Sequence, residues 1–379
     1  MLVWLLMFVC GNPFVGFYLD KFVNIILLLI VFIYYRPTFN MVEKKTISRW
    51  VIFLLLIFSG QLLVLGSVSY LACANFVAKL VLGFSIALII GPRFKDAYIS
   101  VMSVLALISL FFFMLQLLGI TLPSIIPSEQ KSSLGIYTIS IPSEYSNYRL
   151  RNSGMFWEPG AYAGYINLAF MLYVNNLGEL FKKYRAKVVI LLIALLTTLS
   201  TTGYICLGII FVFYVMESHV GKSAKVILLF ITILFAVVLF NSLDFLGEKV
   251  VSQMETTSEL SYDSNEHSRF GSILVDWFYI QLHPIFGNGF SLSTRYAYHL
   301  QFYDEDTLLG FGNGFTGIIG TLGIPFMLLY LYSFYKNRTL VKWGFMTGFV
   351  ILALQGEQYM NYPLFIMLPF INYAGFRTI

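Results

Sequence analysis

Charge is scarce in this sequence: Asp, Glu, Lys and Arg together make up 11% of 379 residues. Soluble globular chains carry about a quarter. With 58% of residues hydrophobic, 18% aromatic and a mean hydropathy of +0.79, polar surface is too limited to face water on every side. That excludes a soluble enzyme, a disordered chain and a nucleic-acid binder. Cysteine is limited to Cys10, Cys73 and Cys206, all inside apolar stretches and without metal-ligand spacing. They read as inert small hydrophobes. No short loop holds a phosphate-cradling glycine run or a Walker-type lysine, which argues against ATP-driven chemistry. An internal repeat is also missing, which weakens an inverted-repeat transporter. The N-terminus has no basic n-region and no small-residue cleavage site, so it reads as a retained first span.

What is present is apolar length. Runs fall at about 1–18, 21–35, 50–70, 71–91, 97–120, 155–176, 187–200, 202–217, 224–243, 311–335, 341–355 and 361–376. They are continuous rather than alternating, which favours helices over a barrel. At about 20 residues per crossing, the expectation is an all-α integral membrane protein. It would have about twelve transmembrane helices in a single polytopic domain, 1–379. With both termini cytoplasmic, the short inner loops collect 16 of the 24 basic residues, as the positive-inside rule asks. The opposite side receives two long loops, about 121–154 and 244–310, expected to carry short helices. The second holds ten acidic residues and three basic ones. Long loops in a chain otherwise sparing with them are where function is sought.

Three places could carry chemistry. Arg149, Arg151, Trp157 and Glu158 precede Pro159 at the outer mouth of the sixth run. Two guanidinium groups with a carboxylate beside them suit an anion site with a base, and also an interfacial anchor in which Glu158 caps the helix. In the second loop, Arg269 opens a stretch with apolar residues at helical spacing, Phe270, Ile273, Leu274, Trp277, Phe278 and Ile280. This reads as an amphipathic helix on the outer surface, ended at His283 by a glycine-bounded turn. Lys79 lies about eight residues, or roughly 12 Å, inside the fourth run. A partner or a wet cavity is expected there. Thr197–Gly203 is a polar turn or a helix break. Gly314, Gly317, Gly320 and Gly323 read as helix packing.

Three stretches carry a family resemblance. RNSGMFWEPGAYAGY (151–165), SRFGSILVDWFYIQLHPIFGNGF (268–290) and NGFTGIIGTLGIPFMLLYLY (313–332) resemble motifs of the O-antigen polymerase and O-antigen ligase superfamily. A fourth, TTLSTTGYICLGII (197–210), is similar to the family's polar turn but has Tyr204 where an arginine is common. Its members are membrane glycosyltransferases acting on undecaprenyl-diphosphate-linked glycans. The resemblance implies a lipid-linked oligosaccharide donor and acceptor, a location in the bacterial inner membrane among its lipids, and a chain-length regulator protein as partner. It implies inverting transfer with no cofactor; no His-rich metal motif is present, and the second loop holds a single Asp-x-Asp, Asp304-Glu305-Asp306. It assigns the family's arginines to Arg269 and Arg151, with Arg149 as the near alternative. Trp157, Lys79 and His283 join them as candidate substrate contacts, and Glu158 as the candidate base. Where ligases usually have a histidine-asparagine pair, this chain has Gly312-Asn313, and His299 lies too far upstream to substitute. That tilts the expectation to a polymerase, with a ligase or a lipid-linked oligosaccharide flippase as alternatives.

Overall fold

The computed structural model describes residues 1–19, 22–37, 39–126, 131–140, 150–218, 221–228, 230, 269–302, 308, 313–337 and 341–371. The fold is mostly helical. The first run divides at Gly11, whose φ of +90° is open to glycine. The result is two short helices, α1 (Leu2–Val9) and α2 (Pro13–Leu19), in place of one span. The indole of Trp157 fills the space a Cβ at Gly11 would need, and its backbone N–H donates to Gly11 O (3.1 Å).

Next come α3 (Val23–Tyr35), α4 (Met41–Leu65), α5 (Tyr70–Ile90) and α6 (Phe94–Leu117). A capping box starts α4: Asn40 Oδ1 accepts from Glu43 N–H and Glu43 Oε2 from Asn40 N–H, each at 2.8 Å. Gly66, at φ +73°, ends it. Among the described residues, Met41–Leu65 and Tyr70–Leu117 are long and apolar enough to cross a membrane. The second is 48 residues long, about 72 Å at helical rise, against a hydrocarbon core near 30 Å. Its interruption at Gly91-Pro92-Arg93 leaves two lengths that each suffice.

The first long loop departs from the expected short helices. Its described part forms an antiparallel hairpin, β1 (Lys131–Ser133) with β2 (Thr138–Ser140). Asn12 Nδ2 ties the hairpin tip to the α1–α2 break by donating to Gly135 O (2.5 Å).

The centre of the bundle is α7 (Pro159–Met171), buried on every side from Ala161 to Met171. An all-apolar helix is stable only when surrounded. Around it stand α8 (Leu177–Thr197) and α9 (Thr201–Glu217). At its C-terminal end, Asp96 accepts from Lys183 Nζ (3.1 Å), Tyr184 OH (2.9 Å) and Tyr173 OH (2.5 Å). The chain resumes with α10 (Arg269–Leu282), α11 (Leu292–Arg295), α12 (Gly314–Leu322), α13 (Ile324–Lys336), α14 (Trp343–Gly356) and α15 (Pro363–Met367). The tenth run is a broken pair: α12 and α13 meet at Gly323 with a bend of 120°. The run 224–243 lies almost wholly outside the described residues.

Candidate functional site

The break between α12 and α13 frees backbone groups, and the turn after α10 satisfies them. Asn288 N–H donates to Gly320 O (2.8 Å), Gly289 N–H to Thr321 O (3.1 Å), and Ile324 N–H to Pro284 O (2.8 Å). From α4, Gln61 Nε2 donates to Phe286 O (2.7 Å) and Thr321 O (2.8 Å). A Cβ on Gly287 or Gly323 would overlap the facing backbone, so glycine is required at both. Irregular backbone at membrane depth is tolerated only when buried or lining a cavity. Here it does both.

Beside the break lies a cavity of about 200 Å³, lined among others by Arg295, Tyr296, Thr321, Gln358 and Asn361. Arg295 and Asp276 form an ion pair through Nη2 and Oδ1, with Asp276 2% exposed and Arg295 4%. Asp276 Oδ2 also accepts from Thr316 Oγ1 (2.6 Å). The guanidinium lies over the rings of Tyr296 (4.6 Å) and Tyr279 (5.4 Å). Burial pushes the Asp276 carboxyl above its ordinary value, against the charge of Arg295 and the hydrogen bonds from Thr316 and Arg295. Burial and the Arg295 charge push His299 below its ordinary value.

This arrangement inverts the usual amphipathic helix. In α10 the buried side carries Ser272, Asp276 and Tyr279, while Leu274, Trp277 and Phe278 are exposed. An apolar face turned outward suits a helix lying against lipid. Its polar side then meets Thr316 of α12 and Arg295 of α11. The α12 glycines make this possible: a Cβ on Gly320 would overlap the Arg295 guanidinium.

A second polar cluster meets the first through the turn after α14. Trp157 Nε1 donates to Glu357 Oε2 (3.1 Å), and the indole stacks on Tyr362 at 5.0 Å. Glu357 is 5% exposed, and its neighbours Gln358 and Asn361 line the cavity. Lys79, half-buried in α5, lies within electrostatic reach of the Cys10 thiol beside Tyr165. All three cysteines are buried free thiols.

The sequence candidates divide between these places. Trp157 joins the Glu357 cluster. Glu158 precedes α7 as its N-cap in extended conformation (φ −154°), but its side chain makes no capping hydrogen bond. Arg151 is engaged elsewhere: Nε donates to Thr198 O (3.0 Å) and Nη2 to Leu199 O (2.9 Å). There it caps the end of α8, and the polar stretch 197–203 is the tight turn into α9. His283 ends α10, its carbonyl accepting from Gly287 N–H (2.9 Å). Arg269 is the first residue of α10, but its side chain lies outside the described residues, as does Arg149 entirely. Sequence reasoning missed Arg295 and Glu357. A signal existed for each: Arg295 is one of three basic residues in the acidic second loop, and Glu357 stands between two apolar runs.

Comparison of the chain with protein-family models, curated proteins and solved structures finds no match in any of the three.

Proposed function

We propose that this chain is a membrane glycosyltransferase that polymerises a surface polysaccharide. It transfers a growing undecaprenyl-diphosphate-linked glycan onto the next lipid-linked repeat unit at the outer face of the bacterial inner membrane. The finer topology belongs to the same proposal: about twelve spans, both termini cytoplasmic, and the long loops outside. The observation that carries it is the 120° helix break with a polar cavity beside it, under an amphipathic helix whose apolar side faces outward. A lipid-linked glycan needs such a place, with its lipid in the bilayer and its sugars in a polar recess. The three stretches resembling the O-antigen polymerase and O-antigen ligase superfamily add support.

As the donor's glycosidic bond breaks, negative charge grows on the bridging diphosphate oxygen. Guanidinium groups stabilise such charge in a partly dry site. Arg269, at the outer end of α10, is assigned this part. The acceptor hydroxyl must lose a proton, and Glu158 is assigned as its base. The net change is one glycosidic bond broken and one formed, with the diphosphate leaving and the proton held on Glu158. A broken helix and an intramembrane lysine also suit a flippase moving the lipid-linked unit without chemistry.

Gene deletion in the native host separates the readings. Single-repeat surface glycan is expected for a polymerase. Unassembled units held on the cytoplasmic side would establish the flippase, and an unchanged glycan ladder would overturn both.

A further inference from the structure

Two cations at one end of the bundle face a shared recess. On α13, Leu329, Tyr332, Ser333 and Lys336 fall at i, i+3, i+4 and i+7, which puts them on one side of the helix. On α4, Thr46, Arg49 and Trp50 fall at i, i+3 and i+4. With Asn337 these residues line a recess of about 80 Å³. About 10–15 Å³ suffices for a water, so a small anionic group fits. Trp50 is buried against Phe326 of α13 and Phe370, with ring centroids 6.0 Å away in each case. Ser333 and Asn337 are engaged, donating to Leu329 O (2.8 Å) and Pro369 O (3.1 Å). Among the described residues, the side chains of Arg49 and Lys336 make no ion pair and no hydrogen bond. Other lysines of the bundle do: Lys183 with Asp96, Lys342 with Glu217 and Lys187 with Ser100. Arg49 and Lys336 are also both exposed, so a ligand can reach them.

Position decides the ligand. Gln61, which meets the helix break, lies twelve residues after Arg49 on α4, roughly 18 Å away at helical rise. The recess is therefore remote from the cavity at the break. It sits where both helices pass between charged and apolar sequence: α4 has no charged residue after Arg49, and α13 has none before Lys336. Exposed Tyr332, Tyr335 and Trp343 follow one another here, with ring centroids 6.0 and 5.5 Å apart. Exposed tyrosine and tryptophan at the ends of apolar helices mark the level of lipid headgroups. Two positive charges at that level call for an anion, and a bilayer supplies phosphate there; basic pockets between membrane helices hold such headgroups. We propose that this recess binds the phosphate of an anionic phospholipid headgroup, with Arg49 and Lys336 as its two cations and the acyl chains running along the apolar lengths of α4 and α13. Such a site requires only that α4 and α13 lie in a bilayer, and is independent of the glycan-transfer reading.

The test is native mass spectrometry of the full-length protein in non-ionic detergent, titrated with dioleoyl phosphatidylglycerol or dioleoyl phosphatidylcholine. The phosphatidylglycerol adduct should survive where the phosphatidylcholine adduct is lost. Arg49→Gln and Lys336→Gln should each weaken it about tenfold or more. Both positions are exposed, so each variant should keep the wild-type unfolding midpoint in lipid-free detergent. Lys44→Gln removes an exposed charge of α4 outside the recess and should leave the affinity unchanged. No phosphatidylglycerol adduct, equal retention of the two lipids, or unchanged affinity in folded Arg49→Gln and Lys336→Gln proteins would each overturn the site. A loss in Lys44→Gln as large as in Lys336→Gln would reduce it to diffuse surface attraction and overturn it as well. Displacement by glycerol 3-phosphate at the lipid's own concentration would make it a site for soluble phosphate esters and overturn the lipid assignment.

Discussion

Asn288 and Gly320 hold the broken span together. The Asn288 backbone N–H donates to Gly320 O at 2.8 Å, and its side-chain amide donates to the same carbonyl at 2.9 Å and to Tyr279 O at 2.8 Å. One residue thus ties the turn, the end of α12 and the end of α10. Asn288→Leu should remove the two side-chain hydrogen bonds, leaving each carbonyl only its backbone donor, and cost about 1–3 kcal/mol. Thermal unfolding in nanodiscs should show this as a lowered midpoint.

Two glycines one turn apart on α12 should respond differently to alanine. At Gly320 a Cβ would overlap the Arg295 guanidinium. Gly320→Ala should therefore disturb the buried pair, and breaking such pairs costs roughly 3–5 kcal/mol. At Gly317 a Cβ finds nothing nearer than Asp276 Oδ2 at 3.7 Å, an ordinary contact. Gly317→Ala should be neutral or gain up to about 1 kcal/mol from helix propensity. Midpoints of the two variants measured side by side decide it.

Arg151 should matter for the fold. It donates to two successive carbonyls at the α8–α9 turn, where Leu199 takes a φ of +48°. Arg151→Ala removes both donors and should cost about 1.5–3 kcal/mol. Arg151→Lys should recover little, since an ammonium cannot reproduce the planar fork. A wild-type midpoint for Arg151→Ala would assign this residue to the substrate alone.

Glu158 gives the opposite expectation. It makes no side-chain capping bond at the start of α7. Glu158→Gln, which keeps the side chain's size and its ability to accept a hydrogen bond, should leave the protein folded while stopping glycan elongation. A purified variant elongating at the wild-type rate would remove Glu158 from the chemistry.

His299 carries a pH dependence. Tyr279 OH accepts from the backbone N–H of Tyr298 (3.1 Å) and of His299 (3.2 Å), so its own proton goes to His299 Nδ1, 2.8 Å away. That requires the neutral ring. Burial and the Arg295 charge set the folded-state value below the ordinary 6.5. The stability contributed by the neutral ring is complete above 6.5 and is lost as pH falls through the folded value. Asp276, raised by burial, acts in the opposite sense, its ionisation costing stability as pH rises. Midpoints recorded between about pH 7.5 and pH 5 should fall less steeply with acid in His299→Gln than in wild type. Equal slopes would remove His299 as the source.

Much of the architecture was legible in the residue order because lipid imposes simple rules. Scarce charge and long apolar runs call for helices, and α4, α5 and α6 occupy the runs that called for them. The polar stretch 197–203, which reads as a turn or a helix break, is a turn between two helices, and α10 begins at Arg269 and ends before the turn at His283 as its spacing and glycines required. Local backbone preference decides such features, and it is written residue by residue. What only the tertiary structure decided is which groups meet. The division of the first run at Gly11 depends on Trp157 filling the space, 146 residues along the chain. The α12 glycines read as helix packing; at Gly320 what approaches is the Arg295 guanidinium, and at Gly317 nothing comes nearer than 3.7 Å. A glycine stripe shows that something approaches closely and does not show what. The polar side of α10 turns inward because a partner for Asp276 stands 19 positions later, on a separate helix. Pairing across such separations follows from how helices stack and break, and no sequence period encodes it.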